Sequence, residues 1–195
     1  MTVSDENWKY CRGMVEYKGY LYLVCNHIFK LDPTNGKYEI VSHESNWNWT
    51  KNHSVCVYKD KFIMVDGWSG KLIQWNPEDS TYSTINGENW KSTRSIVCLG
   101  EKVLVVGNYI YDVDIKTGKY VTVSKQGGWN YTISTTIGKD KIYLLTRIMV
   151  VVGIGHHVHP MYFGRIYSFD PENGDYILIS NHNWKNCSEI NSCRN

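Results

Sequence analysis

Short runs of alternating apolar and polar residues recur along the whole chain, and turn-forming residues close each run. Residues 109–129, YIYDVDIKTGKYVTVSKQGGW, show the arrangement most plainly: two alternating segments flank a turn at 114–118 and lead to Trp129. Alternation with a period of two gives an extended segment one core face and one solvent face. Nowhere is there the 3.6-residue period of an amphipathic helix. The pattern predicts an all-β chain of short strands joined by hairpins.

The same arrangement is written four times. Trp8, Trp49, Trp90 and Trp129 are spaced by 41, 41 and 39 residues, and Trp184 follows after 55. Twelve residues beyond each of the first four, a strand opens: YLYLV at 20–24, KFIMV at 61–65, KVLVV at 102–106 and KIYLL at 141–145. A turn then recurs as DPTNGKY (32–38), NPEDSTY (76–82), DIKTGKY (114–120) and DPENGDY (170–176). Asp or Asn at its first position can accept hydrogen bonds from the turn's own amides, and Pro at the second presets φ. Gly at the fifth supplies the left-handed conformation that closes the hairpin. Ser80 replaces that Gly in the second copy, whose hairpin is therefore expected to be the least regular.

Each unit holds about four short strands in roughly 40 residues, the period of a β-propeller blade. A four-stranded sheet cannot hide both faces by itself, so stacking around a ring drives the assembly. The expected fold is a single β-propeller domain of four four-stranded blades, alone or as part of a larger array. The blades run over approximately 8–48, 49–89, 90–128 and 129–183, with 184–195 as a tail or closing strand. The fourth unit carries an insertion at 146–164, read as a mobile apolar loop. The ends overlap in content, because TVSDENW at 2–8 copies a blade ending and WKNC at 184–187 copies the start of the first unit, WKYC. Four blades closing with one terminal segment spare is favoured over a piece of a longer array, because an open edge strand invites aggregation.

The succession of DKIYLL, GRIYSFDPENGDY and a terminal Trp resembles kelch-type β-propeller repeats over nearly the whole chain. It departs from them in lacking paired glycines after the second strand, where Gly67 and Gly107 stand singly and the first unit has Cys25 and Asn26. Residues 19–33, GYLYLVCNHIFKLDP, are similar to the blades of tachylectin-like lectins. Both resemblances imply a propeller and non-catalytic binding, of proteins in the first case and of sugars in the second.

The totals fit this picture. Eight Trp and 15 Tyr suit half-buried pleated surfaces. A net charge of +2 offers no bulk attraction to nucleic acid. No apolar run is long enough for a membrane span. The polar N-terminus lacks the features of a secretory signal, so a cytoplasmic location is expected, or a secreted one if a leader was removed. Cys25, Cys56 and Cys98 fall in apolar runs and read as small core residues, while Cys187 and Cys193 are candidates to pair with each other or with Cys11.

Candidate chemistry is sparse. Four residues beyond successive tryptophans lie Arg12, His53, Arg94 and Ile133, positions that a ring brings together near its axis. Arg12, His53 and Arg94 would favour an anionic ligand or acidic loop at one channel mouth, or else simply solvate the rim. The periodic tryptophans and Trp75 read as packing, whereas Trp47 and Trp68 lie off the repeat and are candidates for exposed stacking surfaces. His156, His157 and His159 share the insertion without an Asp, Glu or Cys beside them, so neither a metal nor a cofactor is expected. The MVVV run there suits partner docking or self-association. Four glycosylation sequons (Asn48, Asn52, Asn130, Asn186) sit beside the inner strands, an awkward place for a glycan. No GxSxG, HExxH or phosphate-binding glycine loop occurs. The expected function is a protein-interaction module. A lectin with repeated inter-blade sites is the alternative, and an enzyme with a loop-assembled site the third.

Overall fold

A computed structural model describes residues 11–25, 27–42, 54–67, 69–85, 89–154 and 157–180, with the backbone alone over 149–162. Its sixteen strands form four antiparallel sheets in which each strand pairs with its neighbours in sequence. The first sheet holds β1 (Gly13–Tyr17), β2 (Tyr20–Val24), β3 (Ile28–Leu31) and β4 (Tyr38–Ile40). The second holds β5 (Val55–Tyr58), β6 (Lys61–Val65), β7 (Leu72–Trp75) and β8 (Tyr82–Ile85). The third holds β9 (Ser95–Leu99), β10 (Lys102–Val106), β11 (Ile110–Val113) and β12 (Tyr120–Thr122). The fourth holds β13 (Thr132–Gly138), β14 (Lys141–Ile154), β15 (His157–Phe169) and β16 (Tyr176–Ser180). The sheets follow one another as the blades of a four-blade β-propeller, with β1, β5, β9 and β13 as their first strands. The predicted class, an all-β propeller of four four-stranded blades, is the one observed.

The recurrent turn behaves as its residues demand. Oδ1 of Asp32, Asn76, Asp114 and Asp170 accepts a hydrogen bond from the amide two residues on, at 2.8, 3.2, 2.8 and 2.9 Å. Gly36, Gly118 and Gly174 close their turns at φ 73°, 71° and 74°. Ser80 closes the second at φ 59°, and its amide reaches the Asn76 carbonyl at 2.9 Å, as the Gly36 amide reaches that of Asp32. The second hairpin is therefore as regular as the others, contrary to expectation. Its serine carries the conformational cost instead.

The core lies in the seams between blades. Tyr22, Val24 and Ile28 of the first blade pack on Phe62, Met64, Ile73 and Trp75 of the second. Ile63, Val65 and Leu72 pack on Val103, Val105 and Val113 in the next seam, and Leu104, Val106 and Ile110 on Ile142, Leu144 and Phe169 in the one after. Trp90 and Trp129 are buried wedges, each opening its own blade while sitting in the seam with the blade before. Their amides bond back to the preceding blade, Trp90 to the Gly70 carbonyl at 2.7 Å and Trp129 to the Asn108 carbonyl at 3.2 Å. Trp90 meets Tyr111 and Tyr120 edge-on, as Trp129 meets Tyr167 and Tyr176.

Two further expectations are corrected. Cys25, Cys56 and Cys98 are not free core thiols: Cys11 pairs with Cys25 inside the first blade, and Cys56 with Cys98 across the seam between β5 and β9. Cys11 is thereby unavailable to Cys187 or Cys193, which lie outside the described residues. The insertion is not a loop. β14 and β15 continue in unbroken register from Ile142↔Phe169 to Ile154↔His157, whereas β13 and β16 stop pairing at Thr146 and Ile166. A two-stranded extension of about 26 Å therefore projects from the fourth blade.

Candidate functional site

The first strands of the blades lie side by side, and their hydroxyls meet. Ser95 Oγ lies 3.4 Å from Ser54 Oγ and forms a short hydrogen bond with Thr135 Oγ1, while Ser54 Oγ also donates to the Ile96 carbonyl at 3.2 Å. Just before these strands stand Arg12 and Arg94, both exposed. Their equivalence is visible in the main chain, where the Arg12 amide bonds the Val24 carbonyl at 2.9 Å and the Arg94 amide the Val106 carbonyl at 2.7 Å. Arg94 also donates from Nε to the Asn130 carbonyl at 2.8 Å. His53, Trp47 and Trp68 lie outside the described residues.

Asn130 leads to a second feature, which sequence reasoning missed. One turn of 3-10 helix, Trp129–Tyr131, opens the fourth blade after Gly128 at φ 100°. Around it is a cavity of about 350 Å³ lined by Gln126, Gly127, Gly128, Trp129, Tyr131, Thr146, Ile148 and Tyr167. That volume lies at the small end of the range for small-molecule pockets, roughly 300–1,000 Å³. Gly127 lies close to its neighbours, because a Cβ there would meet the Tyr109 ring at 3.1 Å and the Asn108 carbonyl at 3.3 Å. Trp129 is fixed by its Nε1 donating to the Gln126 carbonyl at 3.1 Å, whereas Tyr131 remains 59% exposed. Beside the cavity, Asn130 Oδ1 and Thr132 Oγ1 are buried and find no partner among the described residues. The sequence signals were the GGW at 127–129 and the insertion next to it, neither of which repeats.

The resolved pKa shifts belong to turns and seams away from the cavity. Hydrogen bonding from Lys18 holds Glu78 below the usual carboxylate range, across the first seam. Asp112 is pushed up, chiefly by burial. Among the described residues no group of three or more His, Cys, Asp or Glu is placed to hold a metal ion, and no helix is long and apolar enough to cross a membrane.

Neither a protein-family model nor a curated protein sequence matches the chain. Solved structures do. A chain of a nidogen/laminin complex superposes with a TM-score of 0.64 at 8% identity, over 94% of this chain and 68% of that one. The computationally designed protein Ika4 gives 0.54 at 9%, over 75% and 92%. Virginiamycin B lyase from Staphylococcus aureus gives 0.54 at 10%, over 87% and 69%. The likeness is one of fold. It extends to a protein complex, a designed chain and a lyase alike, so the propeller by itself selects no activity.

Proposed function

We propose that this chain is a non-catalytic binding module that engages one protein partner at the seam between its third and fourth blades. The observation that carries the reading is the Ile148 wall of the cavity. Ile148 belongs to the extension, which among the described residues is found in the fourth unit alone, so this wall of the cavity has no counterpart in the other described blades. A single built site suits an adaptor better than a lectin with equivalent sites in every blade. Arg94 bonds the carbonyl of Asn130, whose neighbours Trp129 and Tyr131 line the cavity, so positive charge and an aromatic recess lie together. With Arg94 beside this recess, the matching partner segment carries an aromatic side chain next to an acidic one.

The test is a peptide-display selection on the whole chain, followed by calorimetry of the best aromatic–acidic peptide. One site per chain is expected, with affinity falling at least about tenfold in Tyr131→Ala. Glycan-array binding with several equivalent weak sites would replace this reading with the lectin one, for which the exposed Tyr131 is the supporting observation. The two disulfides support an oxidising compartment rather than the cytoplasm. Alkylation and mass spectrometry of protein from its native source would find free thiols at Cys56 and Cys98 if that inference fails.

A further inference from the structure

The extension of the fourth blade has two strand edges, and they are not alike. β14 and β15 pair with each other out to Ile154↔His157, but β13 leaves β14 at Thr146 and β16 leaves β15 at Ile166. Beyond those points each strand has, among the described residues, a neighbour on one side alone. Which residues turn their main-chain groups outward follows from the ladder. The Asp170 amide bonds the Asp175 carbonyl at 2.8 Å, on the β16 side. Direction alternates along a strand, so Ser168 and Ile166 also face that side, and Phe169, Tyr167 and Arg165 face β14. Carried along the unbroken register, the alternation turns Val158 and Pro160 away from β14. It turns Gly153 and Val151, their partners, and Met149 away from β15.

On β15 the outward position in the middle of the free stretch is therefore Pro160. It has no N–H to donate, so a strand added there loses a bond. On β14 no proline stands between Ile148 and Ile154. No residue from 148 to 163 is Asp, Glu, Lys or Arg, so this edge also lacks the charges that deter pairing. The outer strands β4 and β12, by contrast, are protected by being only three residues long.

We propose that the β14 edge pairs with the β14 edge of a second copy, antiparallel about a twofold axis through Val151. Residues 148–154 of one chain then lie opposite 154–148 of the other, which uses the whole free edge. A register shifted by two toward the blade would set Ile154 against Thr146, a place Thr132 already holds. A shift the other way shortens the ladder. Met149, Val151 and Gly153 meet Gly153, Val151 and Met149, giving about six main-chain hydrogen bonds. Val150 and Val152 flank the axis, and β-branched residues favour strand pairing. With no charged residue in the run, a copy brings no like charge opposite itself. The product is a four-stranded sheet, ordered β15, β14, β14, β15, that joins two propellers. Pro160 closes both of its outer edges, so association stops at two. Edge pairing consumes main-chain groups and none of the side chains lining the cavity, so the dimer does not depend on the binding proposed there.

The test is size-exclusion chromatography of the full chain with light scattering, over a dilution series. Wild type should show twice the 22.7 kDa of one chain. Val151→Pro removes the outward N–H on the axis from both copies and spares the bonds between β14 and β15. It should raise the dissociation constant at least about tenfold. Val158→Pro makes the same change on the β15 edge and should leave the dimer intact. Circular dichroism and Tm of both variants should stay near wild type, since the changes lie beyond the four-stranded part of the blade. Amide exchange on the wild type maps the junction without any variant. Protection at Met149, Val151 and Gly153 should be lost on dilution, and protection at Val150 and Val152 kept. A monomeric wild type (the edge being covered by a foreign strand or by another part of this chain, for example) would overturn the proposal. So would a Val151→Pro dimer as tight as wild type, loss of the dimer in Val158→Pro as well, or exchange at Val151 that is indifferent to dilution.

Discussion

Arg94 donates through Nε to the main-chain carbonyl of Asn130, 2.8 Å away, and so links the entry of the third blade's first strand to the opening turn of the fourth. A residue singled out for a channel mouth thus also braces a seam. Arg94→Ala should cost about 1 kcal/mol, seen as a lower urea midpoint at constant m-value. Arg94→Lys should recover little of it, because an ammonium on a flexible stem does not present the fixed planar donor. Full stability in the alanine variant would show that the bond contributes nothing.

Ser95 sits between the hydroxyls of Ser54 and Thr135 and is itself buried. Its replacement by alanine removes the shared partner of both. The expected loss is about 1–2 kcal/mol, measurable by denaturant unfolding. A change within experimental error would mean that the line of hydroxyls does not help hold the first strands together.

The turns make a paired prediction. Ser80 holds a conformation that the other three copies assign to glycine, so Ser80→Gly should stabilise by about 0.5–1 kcal/mol. Gly174→Ala should destabilise by more than about 1–2 kcal/mol, because its φ is 74° and a Cβ would run into the Val123 carbonyl oxygen. Thermal melts of the two variants should move in opposite directions.

Disulfide loss should scale with the loop closed. Cys56–Cys98 spans 42 residues and Cys11–Cys25 spans 14. On the chain-entropy estimate, removing the first costs about 4 kcal/mol and the second about 3. Separate Cys-to-Ser pairs, compared by Tm, test the order; a larger loss from the Cys11–Cys25 pair would contradict it.

Acid should weaken the fold. Hydrogen bonds from the Thr34, Thr81 and Thr117 side chains hold Asp32, Asp79 and Asp114 below the usual carboxylate range, and Lys18 does the same for Glu78. A depressed carboxyl gives stability that is complete above its unfolded value and is lost as pH falls through its folded one. Asp112, raised mainly by burial, acts oppositely: its contribution is present in acid and is lost as pH rises. With four groups against one, Tm should hold above about pH 5 and fall below about pH 4. Added salt should weaken the Lys18–Glu78 share, since both side chains are largely exposed. A Tm flat down to about pH 2 would remove the turn carboxylates from the account.

Much of the fold was legible because it is local and repeated. Alternation fixed the strand faces, Asp32 and its counterparts marked the hairpins, and Trp90 and Trp129 marked the seams. The candidate site was less so. Its cavity joins Gln126 to Ile148 across a seam, a contact that no spacing along the chain announces. The extension was misread because a run such as IMVVV has the same apolar composition in a loop as in a paired strand; only a register with 157–163 distinguishes them. The cysteines were misread for a similar reason. Burial of Cys56 and Cys98 on separate strands looks like core packing until two blades bring their sulfurs together.

Trp90 and Trp129 each belong by sequence to one blade while their amides are tied to the one before. Repeat boundaries and mechanical boundaries in this protein therefore do not coincide. A chain severed just ahead of Trp90 or Trp129 would pull that wedge out of the joint it locks, whereas new termini at the exposed Lys59–Asp60 turn would leave both indoles seated between their supports. Swapping or adding a blade, by an engineer or by gene duplication, would succeed most readily with cuts at the hairpin tips.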